Sequence, residues 1–105
     1  MESILRGTKI KLDLNIKPFG ELHLKDVDFE VTLFTQSIKK GYCIMSKDVL
    51  IYLDDDNYAI PFDTSLLPCG RLKVVVKVNV PDEDFELGLR EELILLHTDV
   101  TIVDL

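Results

Sequence analysis

Carboxylates are the most concentrated chemical resource in this sequence. Asp54-Asp55-Asp56-Asn57 is one run, and Asp82-Glu83-Asp84 followed by Glu86 is another. Carboxylates gathered on loops can ligate Ca²⁺, which takes about six to eight oxygens. They can also act as an acid/base pair across a groove, as in glycoside hydrolysis. The first run does not meet the EF-hand pattern, because its Gly and distal Glu positions are unfilled. Asp and Asn are also ordinary turn formers that cap their own backbone. Turns are therefore the first expectation for both runs, ahead of a calcium site, and a catalytic pair comes last.

Other reactive residue types are sparse and scattered. His23 and His97 are the only histidines, and no Cys/His spacing converges on a zinc site. Ser46 and Ser65 lie outside any G-x-S-x-G context, and the glycines form no phosphate-binding motif. Cys43 and Cys69 sit in no C-x-x-C and follow no secretory signal, so both read as free thiols, a buried small hydrophobe and a turn residue respectively. The expectation is thus no catalytic residue, no metal and no cofactor.

The elements that must position these residues are strands. Lys9–Ile16 and Arg71–Val80 place an apolar residue at every second position, which puts one row on each face of a strand. Seven strands are predicted: Thr8–Ile16, Val27–Thr35, Tyr42–Ser46, Val49–Leu53, Tyr58–Asp63, Arg71–Val80 and Glu91–Val103. Turn signals separate them, among them Lys17-Pro18-Phe19-Gly20 and the Pro68/Gly70 connection, and Pro61 points to an edge or a bulge. Short strands at this spacing predict an all-β, immunoglobulin-like, two-sheet antiparallel sandwich forming one domain over residues 1–105, with a barrel as the alternative. In that topology alternate loops share an end, which would gather Gln36–Gly41, Asp54–Asn57 and Pro81–Gly88, with Lys39 and Lys40 as counter-charges.

Bulk properties narrow the class. At 105 residues and 47% apolar content the chain can fill one core without Trp, burying roughly two-thirds of its unfolded surface. Its net charge of −7 is uneven: residues 1–53 carry +1 and residues 54–105 carry −8. An acidic chain without a basic stripe is a poor phosphate-backbone binder, which argues against nucleic acid. No apolar window is long enough for a membrane span, and Met1–Lys11 has no apolar signal core, so synthesis in the cytoplasm is expected.

The anomaly is surplus apolar surface. Leu50-Ile51-Tyr52-Leu53 and Leu93-Ile94-Leu95-Leu96 are apolar on both strand faces, and Val75 stands in the outward row between Lys73 and Lys77. Beyond them Phe85, Leu87 and Leu89 alternate with Glu86 and Gly88 in a predicted hairpin tip. Either loops of the same chain cover these residues, or Val75, Phe85, Leu87, Leu89, Ile94 and Leu96 form an interaction surface.

Several segments resemble the N-terminal domain of phage baseplate upper proteins. Asp26-Val27-Asp28-Phe29-Glu30-Val31-Thr32-Leu33-Phe34 is similar to its early strand, and Asp56-Asn57-Tyr58-Ala59-Ile60 to its central hairpin. Asp63-Thr64-Ser65-Leu66-Leu67-Pro68-Cys69-Gly70-Arg71-Leu72 resembles its crossover into a long strand. Pro81-Asp82-Glu83-Asp84-Phe85 and Gly88-Leu89-Arg90-Glu91-Glu92 are similar to a hairpin of prophage tail proteins, so the resemblance spans about Thr8–Ile102. It implies a non-enzymatic structural module of a phage or prophage tail, a baseplate or fibre adaptor that ends up virion-associated. The implied partners are other tail subunits or a second copy, and no catalytic residue carries over. Members often precede a trimerising coiled coil, whereas this sequence stops at Leu105, the expectation being an independent small tail protein. The alternative reading is a ligand-, carbohydrate- or calcium-binding adhesion sandwich.

Overall fold

The computed structural model describes residues 2–17 and 20–104. Among these the chain forms eight strands: β1 Glu2–Leu5, β2 Lys9–Asn15, β3 Asp28–Phe34, β4 Cys43–Ser46, β5 Ile51–Asp54, β6 Asn57–Asp63, β7 Gly70–Pro81 and β8 Leu89–Val103. They build a five-stranded sheet in the order β1-β8-β7-β3-β4 and a three-stranded sheet in the order β2-β6-β5. That arrangement is an immunoglobulin-like sandwich. The expected turn at Lys17–Gly20 falls partly on residues 18 and 19 and lies outside the described residues.

Alternation builds the core. Phe29, Val31 and Leu33 on β3 face Val78, Val76 and Val74 on β7 in direct register, and all six are buried. Leu14 on β2 and Tyr58, Ile60 and Phe62 on β6 close the core from the other sheet. Phe29 and Tyr58 meet edge to face at 5.2 Å between ring centres, a favoured aromatic geometry.

Three features lay beyond local pattern. First, β1 pairs in parallel with the far end of the chain, Glu2 opposite Val100 through Leu5 opposite Val103. This one parallel pair interrupts an otherwise antiparallel sandwich, and a four-residue strand gives no periodic signal of its own. Second, β6 is central rather than an edge. Pro61 is tolerated because β5 pairs with β6 only as far as Ile51 opposite Ala59, so nothing on that side asks Pro61 for an N–H. Third, β8 bulges: Arg71 faces Thr101 and Lys73 faces His97, so β8 spends two more residues than β7 over this stretch. The Thr98 hydroxyl fills the gap, donating to the Leu72 carbonyl at 2.7 Å and accepting from the Val100 N–H at 3.1 Å. An even number of extra residues keeps the inward row in phase, so Ile94, Leu96, Val100 and Ile102 all point to the core.

The loop grouping expected from simple alternation is corrected by one segment. The 3₁₀ turn Lys47–Val49 carries the chain from β4 at one sheet edge to β5 in the other sheet without reversing it. Lys47 holds this passage, its Nζ donating to the carbonyls of Lys25 (2.7 Å) and Val27 (2.6 Å) and lying over the Phe29 ring. The two loops that flank this passage, Gln36–Gly41 and Asp54–Asn57, therefore lie at opposite ends. Gln36–Gly41 joins the β6–β7 connection, with Thr35 Oγ1 donating to the Pro68 carbonyl and Gln36 Nε2 to the Cys69 carbonyl. Asp54–Asn57 instead meets the β2–β3 connection.

Truncating an inward residue should cost far more than truncating an outward one on the same sheet. Leu33→Ala is expected to lower unfolding free energy by about 3 kcal/mol and Leu93→Ala by less than about 0.5 kcal/mol, measured by urea denaturation. Equal losses would mean the inner and outer rows have been exchanged.

Candidate functional site

The acidic turn between β5 and β6 is internally engaged. Asp54 Oδ1 accepts from the Asp56 N–H at 3.1 Å and from Asn57 Nδ2 at 2.6 Å, a turn-capping pattern. Asp55 accepts from the Tyr52 hydroxyl at 3.0 Å and pairs with Lys25 Nζ at 3.2 Å. Asp56 lies 3.1 Å from His23 Nδ1 and accepts from the Leu24 N–H at 3.3 Å. Backbone bonds from Ile16 N to the Asp56 carbonyl and from Lys25 N to the Asp55 carbonyl complete a latch on the β2–β3 connection. The counter-charge is Lys25, with His23 as a hydrogen-bond partner, and not Lys39 and Lys40, because the latter sit at the opposite end of the sandwich. The three aspartates diverge to separate partners, and no group of three or more His, Cys, Asp or Glu among the described residues could hold a metal ion.

Neither cysteine is prepared as a nucleophile. Cys43 and Cys69 are free thiols. Burial pushes the Cys43 thiol up, and a hydrogen bond with Asp104 followed by burial pushes Cys69 up, so both favour the protonated form. At the end that holds Cys69, Arg6 straps β1 to the β6–β7 connection, donating to the Leu67 carbonyl at 2.8 Å and the Ser65 carbonyl at 3.0 Å.

The apolar surplus divides into three places. On the outer face of the five-stranded sheet, Val75 is half-buried and lies opposite Leu95 on β8 and Thr32 on β3, which lies opposite Ile44 on β4. Leu95 and Ile44 are 53% and 52% exposed, and Leu93 beside them is 66% exposed. Ile94 and Leu96 point the other way. They pair with the buried Val76 and Val74 and pack against the core. The outward apolar residues of β8 are therefore Leu93 and Leu95 rather than Ile94 and Leu96. Four consecutive apolar residues carry no phase, so only pairing with β7 could decide which row faces water.

The second place is the β7–β8 hairpin. Its ladder runs out to Pro81 opposite Leu89, past the last β3 pair at Asp28 opposite Asn79. The turn is closed by bonds from Asp82 N to the Gly88 carbonyl, Phe85 N to the Asp82 carbonyl and Gly88 N to the Phe85 carbonyl. Arg90 braces the base, 2.7 Å from Asp82 and 3.0 Å from Glu92. Phe85 and Leu89 are about half exposed, and Leu87 is 93% exposed. Leu87 also holds a φ of +69°, the only positive value at a non-glycine among the described residues. A left-handed backbone costs an L-residue about 1–2 kcal/mol, and among the described residues nothing covers the side chain in return.

The third place is the small sheet's edge, where Ile51, Tyr52 and Leu53 are exposed on β5. Tyr52 there packs edge to face on Tyr58 at 5.7 Å, so part of this surplus serves the acidic latch.

Comparison with protein-family models, curated proteins and solved structures returned no match. The fold and surface therefore define the class reached here: an immunoglobulin-like sandwich with an extended, apolar-tipped hairpin.

The latch makes stability depend on acid pH. The Tyr52 hydroxyl and then Lys25 hold the Asp55 carboxyl below the ordinary range, and hydrogen bonds from Ser65 do the same for Asp63. The native state is thus favoured at pH above about 4, where unfolded Asp ionises, and loses this contribution as pH falls through the depressed values. Urea midpoints measured from pH 5 to pH 2 should fall, and an Asp55→Asn/Asp63→Asn variant should show a shallower fall. An unchanged slope would mean these groups are not linked to folding.

Proposed function

We propose that this chain is a non-enzymatic interaction module that joins subunits of a larger assembly through apolar surface on its hairpin tip and outer sheet face. The observation that carries the reading is Leu87. A large apolar side chain almost wholly in water, on a backbone conformation that disfavours it, is doubly costly to the isolated chain. Asn or Gly would be the ordinary choice at such a turn position. An outlier retained at a protruding tip is accounted for by a contact outside the chain. Phe85 and Leu89 flank it, and the braced ladder beneath presents all three on a rigid arm.

The internal engagement of the acidic turn supports this reading over a calcium-dependent adhesion module, since its carboxylates already have partners. The resemblance to baseplate upper proteins supplies the setting: a phage or prophage tail in which this module serves as a baseplate or fibre adaptor. Its partners there are other tail subunits or a second copy.

Leu87→Asn separates the two roles of the tip. The isolated chain should become more stable by up to about 1 kcal/mol as backbone strain is relieved, while assembly weakens. Phe85→Asp should weaken assembly with the fold unchanged by circular dichroism. Sedimentation velocity of the wild-type and variant chains, alone and with neighbouring tail subunits, reads both effects. Assembly indifferent to both substitutions would overturn the hairpin as a contact site.

A further inference from the structure

Each sheet of this sandwich ends in open edges, and three of the four are managed in the usual ways. β4 and β5 are four residues long, and β2 carries Lys9, Lys11 and Asp13 along its outer row. Short edges and edge charges discourage strand-to-strand pairing. The fourth edge differs. β1 covers β8 only from Val100 to Val103, and among the described residues no strand pairs with that side of β8 from Leu89 to Asp99. This open stretch contains no Pro and no Gly, and its outward row reads Glu91, Leu93, Leu95, His97.

That row is complementary to itself when reversed. We infer that β8 pairs antiparallel with β8 of a second copy about a two-fold axis at Ile94, placing Glu91 opposite His97 and Leu93 opposite Leu95 in both directions. The inference rests on the interaction-module reading and names its partner. Directly opposed side chains in an antiparallel pair share a face and touch, so the two exposed leucines of each copy cover those of the other, and a carboxylate meets an imidazole on either side. Register follows from the same residues. Sliding the pair so that Leu95 is central sets Glu91 against Asp99 and Leu93 against His97. Centring on Leu93 leaves Glu91 facing Leu95. The Thr98–Val100 bulge and the start of β1 end the ladder, so pairing is confined to the segment around Glu91–His97. Parallel pairing would not close on itself, whereas the antiparallel pair forms a two-fold dimer.

Two measurements on the full chain decide it. In sedimentation equilibrium the wild type should dimerise, and Leu93→Asp/Leu95→Asp should weaken dimerisation at least tenfold. Both positions face water, so the monomer should keep its fold. In a Cys43→Ser/Cys69→Ser background, oxidation should cross-link Ile94→Cys with itself and a mixture of Leu93→Cys with Leu95→Cys, but Leu93→Cys alone poorly. A wild type monomeric at all concentrations, or cross-linking equal in all three cases, overturns the β8 pairing. A dimer that survives Leu93→Asp/Leu95→Asp and dissociates with Phe85→Asp also overturns it, while leaving the interaction-module reading in place.

Discussion

The register between β3 and β7 is the constraint on which the rest of this structure depends. Phe29, Val31 and Leu33 face Val78, Val76 and Val74 across one antiparallel ladder, with all six side chains out of water. A slip of one residue would turn one strand over, exposing its three core residues and burying Lys73 and Lys77 of β7, or Glu30 of β3, in their place. Because β8 is laid against β7, the same register chooses between the two apolar rows of β8. It sends Ile94 and Leu96 inward and leaves Leu93 and Leu95 in water. The outer face, its neighbour Val75 and the open edge of β8 all inherit that choice.

A second constraint is the passage at Lys47–Val49. By moving the chain between sheets without reversing it, this turn separates the Gln36–Gly41 loop from the acidic turn and sets which basic groups can reach Asp55 and Asp56. Lys47 itself is tied to two backbone carbonyls of the β2–β3 connection. Lys25 and His23, on that same connection, then close on the acidic turn. The two connections stabilise each other, and the most acidic stretch of the chain is spent on holding a loop.

Against this economy of the interior, the β7–β8 arm stands out physically. Its base is braced by Arg90 between Asp82 and Glu92, while its tip exposes Phe85, Leu87 and Leu89. A rigid support carrying costly apolar groups outward is the reverse of what minimises the free energy of a lone chain. The same holds for a long strand edge that lacks prolyl protection and exposes Leu93 and Leu95. Both features lie on one hairpin, so the proposed assembly role and the strand proposed to serve it share a single element.

Local alternation together with turn signals was enough to place seven of the eight strands and the inward rows of β3 and β7, because both are properties of neighbouring residues alone. It also singled out the hairpin tip, since apolar residues in a turn are visible without any partner. What it could not contain was anything set by distant pairing. β1 is too short to show a period and is defined by Val100–Val103 at the other end of the chain. The exposed row of β8 is undefined in a run of four apolar residues until β7 lies beside it. The partners of Asp55 and Asp56 depend on a sheet switch that no residue type signals. Those three were decided only by the tertiary structure, where contacts between residues far apart in sequence determine which face, which end and which edge each segment presents.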